Sequence, residues 1–283
     1  MKIFVCLSLI DLSKLIFLKQ VLDSLQFICD EVHVAILTNI VNPDEVNEII
    51  STAPSNSNRF KVEVINRAYE KLPSPWLLAW AHKVLMHEKF QDATYTHFMN
   101  IEDDILVTFD NIKYWLTARD FLRSLNIFPS FLRVEWSESN SNWVSVDAIE
   151  GDKFSIRNCP HVMTHDGYGY VNIPRIYQGM FLYDRELMEE YINSGKFVVD
   201  EAFPNWREAI QFKNSPQGLG EASHAGLSQI NVPSGCISRN FLPFYEKYKM
   251  FDPACFIHHL PNKFANEASS GHGKVFLHNI LMS

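Results

Sequence analysis

Lys2–Leu9, KIFVCLSL, is an unbroken apolar, β-rich run, the pattern of a strand buried on both faces rather than one alternating between core and water. Asp11 follows as a helix cap and opens a helical pattern that continues through Leu25. The same pairing then recurs along the chain. Glu31–Thr38 reads as a strand, 43–50 as a short helix opened by Asn42-Pro43, and 60–65 as a third strand after the loop SNSN. Pro73 and Pro75 break the chain before a helix over 76–90, and 95–101 is a fourth strand. Strands separated by helices of this length need crossover connections, so the pattern predicts an α/β fold with a mostly parallel central sheet flanked by helices. Ligands in such sheets gather at the carboxyl ends of the strands.

Beyond a helical stretch at 111–125 and a strand at 131–136, the chain turns less regular and richer in Gly, Pro, Asn and His. It shows no clean linker, internal repeat or low-complexity tract. The expectation is a single domain over 1–283, made of a regular half at 1–135 and an irregular half at 136–283. A 47% share of hydrophobic residues in 283 is ample for a core of that size.

The formal charge of −8 argues against a nucleic-acid partner, because phosphate backbones are held by clustered Lys and Arg. An anionic ligand would then need a metal or a helix N-terminus as counter-charge. The cysteines Cys6, Cys29, Cys159, Cys236 and Cys255 are scattered and form no CxxC pair, which points to reduced thiols and a cytoplasmic location. The start MKIFVCLSLI is interrupted at Asp11 with no small-residue cleavage site, and so reads as the first strand rather than a leader. No apolar stretch approaches the roughly 20 residues that span a bilayer, so membrane contact is expected to be peripheral at most.

Glu102-Asp103-Asp104 follows the fourth strand directly, where a binding crevice is expected. Three adjacent carboxylates raise one another's free energy when ionised unless a cation offsets them. A divalent metal is the simplest remedy, and carboxylate oxygens suit Mg²⁺ or Mn²⁺, which keep positions open for phosphate oxygens. A solvated turn whose acids cap the next helix is the other reading of the same residues.

The segment THFMNIEDDILVTFDNIKYWL resembles the metal-binding segment of GT-A glycosyltransferases, in which a strand ends in a DXD-type motif, here as EDD. It is similar in layout to the N-acetylglucosaminyltransferase I group, and the similarity covers 1–135, with only the EDD neighbourhood specific. The resemblance implies a GT-A, Rossmann-like fold, with 1–135 binding a UDP- or GDP-sugar and 136–283 binding a glycan or lipid-linked glycan acceptor. It implies Asp104 as direct metal ligand, with Glu102 and Asp103 facing the ribose and the metal's water shell. SPWLLAWAHKVL resembles the helix that frames the nucleotide in that family, with Lys83 as the cation nearest the diphosphate. A surface lysine on an amphipathic helix is the alternative.

The same resemblance directs attention to the second half. Gly179, with Gln178, stands where these enzymes carry a glycine-containing strand bordering the donor sugar; ordinary strand packing explains it as well. Glu221 stands where inverting members place the base that deprotonates the acceptor hydroxyl. The family's two-acid pattern is missing, because Ala222 follows, and a helix-capping Glu is the alternative. GT-A enzymes often bring a C-terminal histidine to the metal, which points to one of His258 and His259, with His259 carried forward; Lys263 follows on the next loop. A nucleotidyltransferase would also place acids on such a sheet, but with a Gly-rich loop after the first strand, and 8–14 contains no glycine. A glycoside hydrolase needs its two carboxylates apart across the bond. A carbohydrate-binding scaffold of the same fold, without chemistry, is the remaining alternative.

Overall fold

The computed structural model describes residues 1–66, 75–145, 159–172, 177–195, 197, 223–267 and 275–276. In chain order its main elements begin with β1 (Lys2–Leu9), α1 (Leu15–Leu25), β2 (Glu31–Thr38), α2 (Pro43–Thr52), β3 (Phe60–Asn66), α3 (His82–Phe90) and β4 (His97–Glu102). They continue through β5 (Ile105–Leu106), α4 (Phe109–Leu122), β6 (Phe128–Pro129), β7 (Leu132–Ser137), β8 (Asn142–Ser145), β9 (His161–Met163) and β10 (Tyr168–Val171). The last are β11 (Met180–Asp184), α5 (Arg185–Asn193), β12 (Asn240–Tyr245), β13 (Met250–Phe251), β14 (Phe256–His259) and β15 (Val275–Phe276). The chain is mixed α/β and divides into two compact units, each discontinuous in sequence. One is Met1–Ile105 with Gly179–Gly226, the other Leu106–Gln178 with Leu227–Ser283.

The first unit holds a five-stranded sheet in the order β11-β4-β1-β2-β3. β1, β2, β3 and β4 run parallel, and β11 is antiparallel to β4. The central strands are the unbroken apolar runs of the sequence: Ile3, Phe4, Val5, Cys6 and Leu7 of β1 and Val34, Ala35, Ile36 and Leu37 of β2 are all inaccessible to solvent. Such continuous burial is what a strand covered on both faces requires. Asp11 accepts a hydrogen bond from Ser13 N at 2.8 Å and caps a 3-10 turn, Leu12–Lys14, that leads into α1. Asn42 caps α2 through Asp44 N, with Pro43 in the first turn, where its missing N–H costs nothing. The helix expected over 76–90 is instead a 3-10 stretch, Pro75–Trp80, followed by α3.

Arg185 helps to tie down the entry into β4. The Arg185 guanidinium donates to the carbonyls of Phe90, Asp92 and Tyr95 at 2.8, 3.2 and 3.0 Å, and lies 4.2 Å from the Phe90 ring centroid. Its planar fork satisfies three loop carbonyls that no strand or helix would otherwise engage. β4 then runs beside β1 with Cys6 opposite Asn100 and Ser8 opposite Glu102.

The second unit is built differently. β9, β10, β12 and β13 form an antiparallel ribbon in the order β13-β12-β10-β9, with β6 added parallel to β12. β8 pairs antiparallel with β7 and β15, and β14 lies parallel to β7. Where the sequence suggests only an irregular half, these described residues form sheets of short strands. Buried polar networks join them. Asn172 donates to Ser238 Oγ and the Asn240 carbonyl at 3.0 and 2.7 Å, and accepts from the backbone N–H of Ile237 at 2.6 Å. Arg239, 2% exposed, donates to the carbonyl and the side-chain oxygen of Asn126.

Candidate functional site

In the order β3-β2-β1-β4 the chain builds outward from β1 in one direction as far as β3 and then returns to β1's other side. That reversal makes the carboxyl ends of β1 and β4 a topological switch point, where open α/β sheets place ligands. The sequence puts Asp11 to Lys14 after β1 and Glu102 to Asp104 after β4, so strand adjacency alone brings these segments together. Lys14 Nζ lies 2.7 Å from Asp104 Oδ2, and Asp104 is 5% exposed.

The charges at this corner are crowded. Burial, and then the neighbouring Asp104 carboxylate, push the Asp103 carboxyl well above its usual range, with Lys14 opposing. Burial alone would lower the Lys14 ammonium, but its hydrogen bond to Asp104 and the charges of Asp104, Asp103 and Glu102 raise it overall. Lys14 thus offsets part of the charge of the adjacent acids.

Gly179 closes the site from the other side. Its carbonyl accepts the Glu102 N–H at 3.0 Å, and its φ of +64° is left-handed. A Cβ there would come 2.7 Å from Glu102 Oε2 and 3.0 Å from Ile105 Cγ1. Any larger residue would push the Glu102 carboxylate aside and strain the backbone.

On the sheet face shared by Cys6, Ser8, Asn100 and Glu102, buried polar atoms go without partners. Among the described residues, Ser8 Oγ, both amide atoms of Asn100 and Asn39 Oδ1, just past β2, have no hydrogen bond. His82 lies over the same face: its carbonyl faces Cys6 Sγ at 4.0 Å, its Nδ1 meets the Ala79 carbonyl at 2.7 Å, and its buried Nε2 is unpartnered. Burial holds the His82 ring neutral, its pKa lowered to about 3. Unsatisfied buried polar atoms cost about 1–3 kcal/mol each, a cost that a water or ligand partnering them would recover.

The expected donor cation is placed otherwise than a surface position. Lys83 on α3 is 1% exposed, with its ammonium 4.6 Å from the Trp80 ring centroid. Lys14, beside Asp104, is the cation that sequence reasoning passed over. Its place follows from the pairing of β1 with β4, which local sequence does not show.

The histidine candidates lie in the second unit. His259 Nδ1 forms a short contact with Glu135 Oε1, and Glu135 Oε2 accepts the Ala265 N–H at 2.6 Å. The Glu135 side chain is fully buried; burial raises its pKa, but the bonds from His259 and Ala265 outweigh that and lower it. A carboxylate at Nδ1 fixes the ring's orientation, as outer carboxylates do for metal-binding histidines. His258 is held by Asn262 through Nε2 at 2.9 Å and packs edge-on to Trp143. Lys263 is exposed at the start of the one-turn helix Lys263–Asn266, its ammonium 4.7 Å from the Phe264 ring centroid. Gln178 accepts the Phe131 N–H at 2.8 Å. Glu221 lies outside the described residues.

The donor set at the switch point suits a hard divalent cation. Mg²⁺ and Mn²⁺ are commonly held through one or two carboxylates with substrate phosphates completing the shell, which the acid run can supply without a larger cage. Among the described residues no cluster of three or more His, Cys, Asp or Glu side chains gathers, as a closed all-protein site would require. No protein-family model matches this chain, and no curated protein sequence matches it either.

Proposed function

We propose that this chain is a metal-dependent glycosyltransferase of the GT-A type, moving a sugar from a UDP- or GDP-sugar to a glycan or lipid-linked glycan acceptor. The observation that carries the reading is the crowded acid run at the β1/β4 switch point, backed by Gly179 and by a face of orphaned buried polar atoms. Fold alone does not fix function, so the weight rests on those groups.

Bound Mg²⁺ or Mn²⁺ would supply Lewis-acid stabilisation of the charge that grows on the departing nucleoside diphosphate. In this reading Asp104 is the metal ligand, and Glu102 and Asp103 hold the ribose and the water shell. Lys14 orients the Asp104 carboxylate. Ser8, Asn39 and Asn100 offer a nucleoside the hydrogen bonds that the fold leaves unmade. Gly179, whose missing side chain lets the Glu102 carboxylate pack against it, is proposed to border the donor sugar. Glu221 is proposed as the base that takes the acceptor's hydroxyl proton as oxygen attacks the anomeric carbon. His259, held by Glu135, is separately proposed as a metal ligand, and Lys83 and Lys263 as donor-binding cations.

A cytoplasmic place in surface-polysaccharide assembly accompanies the proposal. None of the five cysteines forms a disulfide, and no described helix is long and apolar enough to cross a membrane. The test is thermal: with Mn²⁺ present, UDP or GDP is expected to raise the melting temperature, since a ligand that binds only the native state stabilises it by mass action. A shift with nucleoside triphosphates alone would point to a nucleotidyltransferase. No shift with any nucleotide would leave a scaffold.

A further inference from the structure

We infer that the second unit carries a saccharide-binding groove along α4, lined by tyrosines that the fold holds in fixed orientation. The groove encloses about 560 Å³ and is bordered by Lys113 and Tyr114 of α4, Tyr168 and Tyr170 of β10, Tyr245 of β12, and Asp252. That volume falls within the range of about 300–1,000 Å³ typical of small-ligand sites.

The sheet register builds the tyrosine wall. Tyr168 stands opposite Tyr245 across the β10–β12 pair, and Tyr170, two residues on, shares their face. Tyr168 contacts the other two edge-to-face, with ring centroids 5.5 and 5.0 Å apart. Asp252 locks the arrangement: its Oδ2 accepts the hydroxyls of Tyr168 and Tyr245 at 2.8 and 3.1 Å, while its Oδ1 accepts the Ala254 N–H. The opposite wall is equally fixed. Asn111 of α4 donates to the carbonyls of Ala254 and Phe256 at 2.8 and 2.9 Å, and the Tyr114 hydroxyl donates to the Ser130 carbonyl. Burial raises the phenol pKa values, that of Tyr170 to about 12, so the hydroxyls stay protonated across the physiological range.

The chemistry of the lining selects its ligand. Rigid aromatic rings present apolar surface for the C–H face of a pyranose, while phenol oxygens, threonines and the exposed Asp110 and Lys113 on the rim offer partners for hydroxyls. A nucleotide or phospholipid headgroup would demand a surplus of cations, and the groove residues include one lysine against Asp110 and Asp252. An acyl chain would demand a wall free of polar atoms. A neutral or amino-bearing oligosaccharide meets both conditions. Identifying it with the acceptor glycan rests on the transferase reading, whereas sugar binding by itself does not.

The full chain, probed against an array of neutral, acidic and amino-sugar oligosaccharides and then by saturation-transfer NMR with the strongest ligand, tests the groove. Two variants accompany it: Thr117→Trp, which fills the groove from an exposed position on α4, and Tyr245→Ala, which removes part of the wall. The expected result is wild-type binding of at least one oligosaccharide, weakened at least about tenfold in both variants, with Thr117→Trp keeping the wild-type melting temperature. Binding that persists when nucleotides give no thermal shift supports the groove and removes only its acceptor role. An array without a bound sugar, or equal binding by wild type and Thr117→Trp, would overturn the proposal.

Discussion

Asn100 and Asn172 are both fully buried asparagines, and the fold treats them in opposite ways. Asn172, in the second unit, donates to Ser238 Oγ and the Asn240 carbonyl and accepts from the N–H groups of Ile237 and Ser238. Asn100, in the first unit, has neither amide atom bonded. The first is a cross-brace: a polar network fully satisfied inside a low-dielectric interior adds rigidity and specificity. The second costs the folded state stability where it stands, and an apolar residue would serve the sheet better. On the proposed reading, the difference separates polar residues that hold the protein together from those kept for a ligand, although both have the same burial.

The strongest way to break the comparison is at the acid run. Asp104→Ala should reduce sugar transfer at least about 100-fold, the scale on which metal sites respond to lost ligands and their supports, and erase the nucleotide-dependent thermal shift. The melting temperature without nucleotide should stay near wild type, because Asp104 lies beyond the end of β4 and its removal relieves the repulsion with Asp103 that offsets the lost Lys14 pair. Wild-type turnover would refute the assignment of the site. Asn172→Ala should act the other way, lowering unfolding free energy by about 2–4 kcal/mol in denaturant titrations while leaving nucleotide binding intact.

A smaller effect concerns His82, whose Nε2 is also unpartnered. Its folded pKa is lowered to about 3, so the native protein keeps it neutral while the unfolded chain takes up a proton below about pH 6.5. Stability should therefore fall by about 1.4 kcal/mol per pH unit from this group as pH drops from about 6.5 toward 3, and level off below that. Denaturation midpoints between pH 7 and 5 should be flatter for His82→Gln. The mildest test is Asn100→Leu, close in shape and without the orphaned amide. It should leave stability within about 1 kcal/mol of wild type or raise it, while weakening the response to UDP and GDP. A loss as large as that of Asn172→Ala would erase the distinction between the two asparagines.

The central strands are legible because their pattern has one physical cause. Lys2–Leu9 and Glu31–Thr38 have the bounds read from the sequence, since their cores, residues 3–7 and 34–37, are continuous apolar runs covered on both faces. The helix over 76–90 is misjudged because apolar content alone does not distinguish a 3-10 stretch from an α-helix, and the chain changes from one to the other at Ala81. In the second unit the helix at 111–125 and the strand at 131–136 are legible as α4 and β7, but most of the short strands are not. β6 and β13 have two residues each, too short for any period, and β10 finds its partner β12 far along the chain. Glu102 to Asp104 stand out as a local run, and Gly179 as a glycine beside a strand. Lys14 does not, because its meaning comes from strand order and not from its neighbours in sequence. Asn100 is an ordinary polar residue in the sequence and becomes conspicuous only when its amide is found without a partner.

The discontinuity of the first unit has a consequence for how the protein is made. β11, which covers the outer edge of β4 and brings Gly179 against Glu102, is translated only after the intervening 106–178 segment of the second unit. As synthesis proceeds from the N-terminus, the ribosome first releases a parallel sheet whose β4 edge has open backbone donors and acceptors, a template for unwanted pairing with other chains. Nascent chains stalled or cleaved before Met180 should therefore be prone to aggregate, and the Glu102 N–H gains its acceptor, the Gly179 carbonyl, only as that edge is sealed.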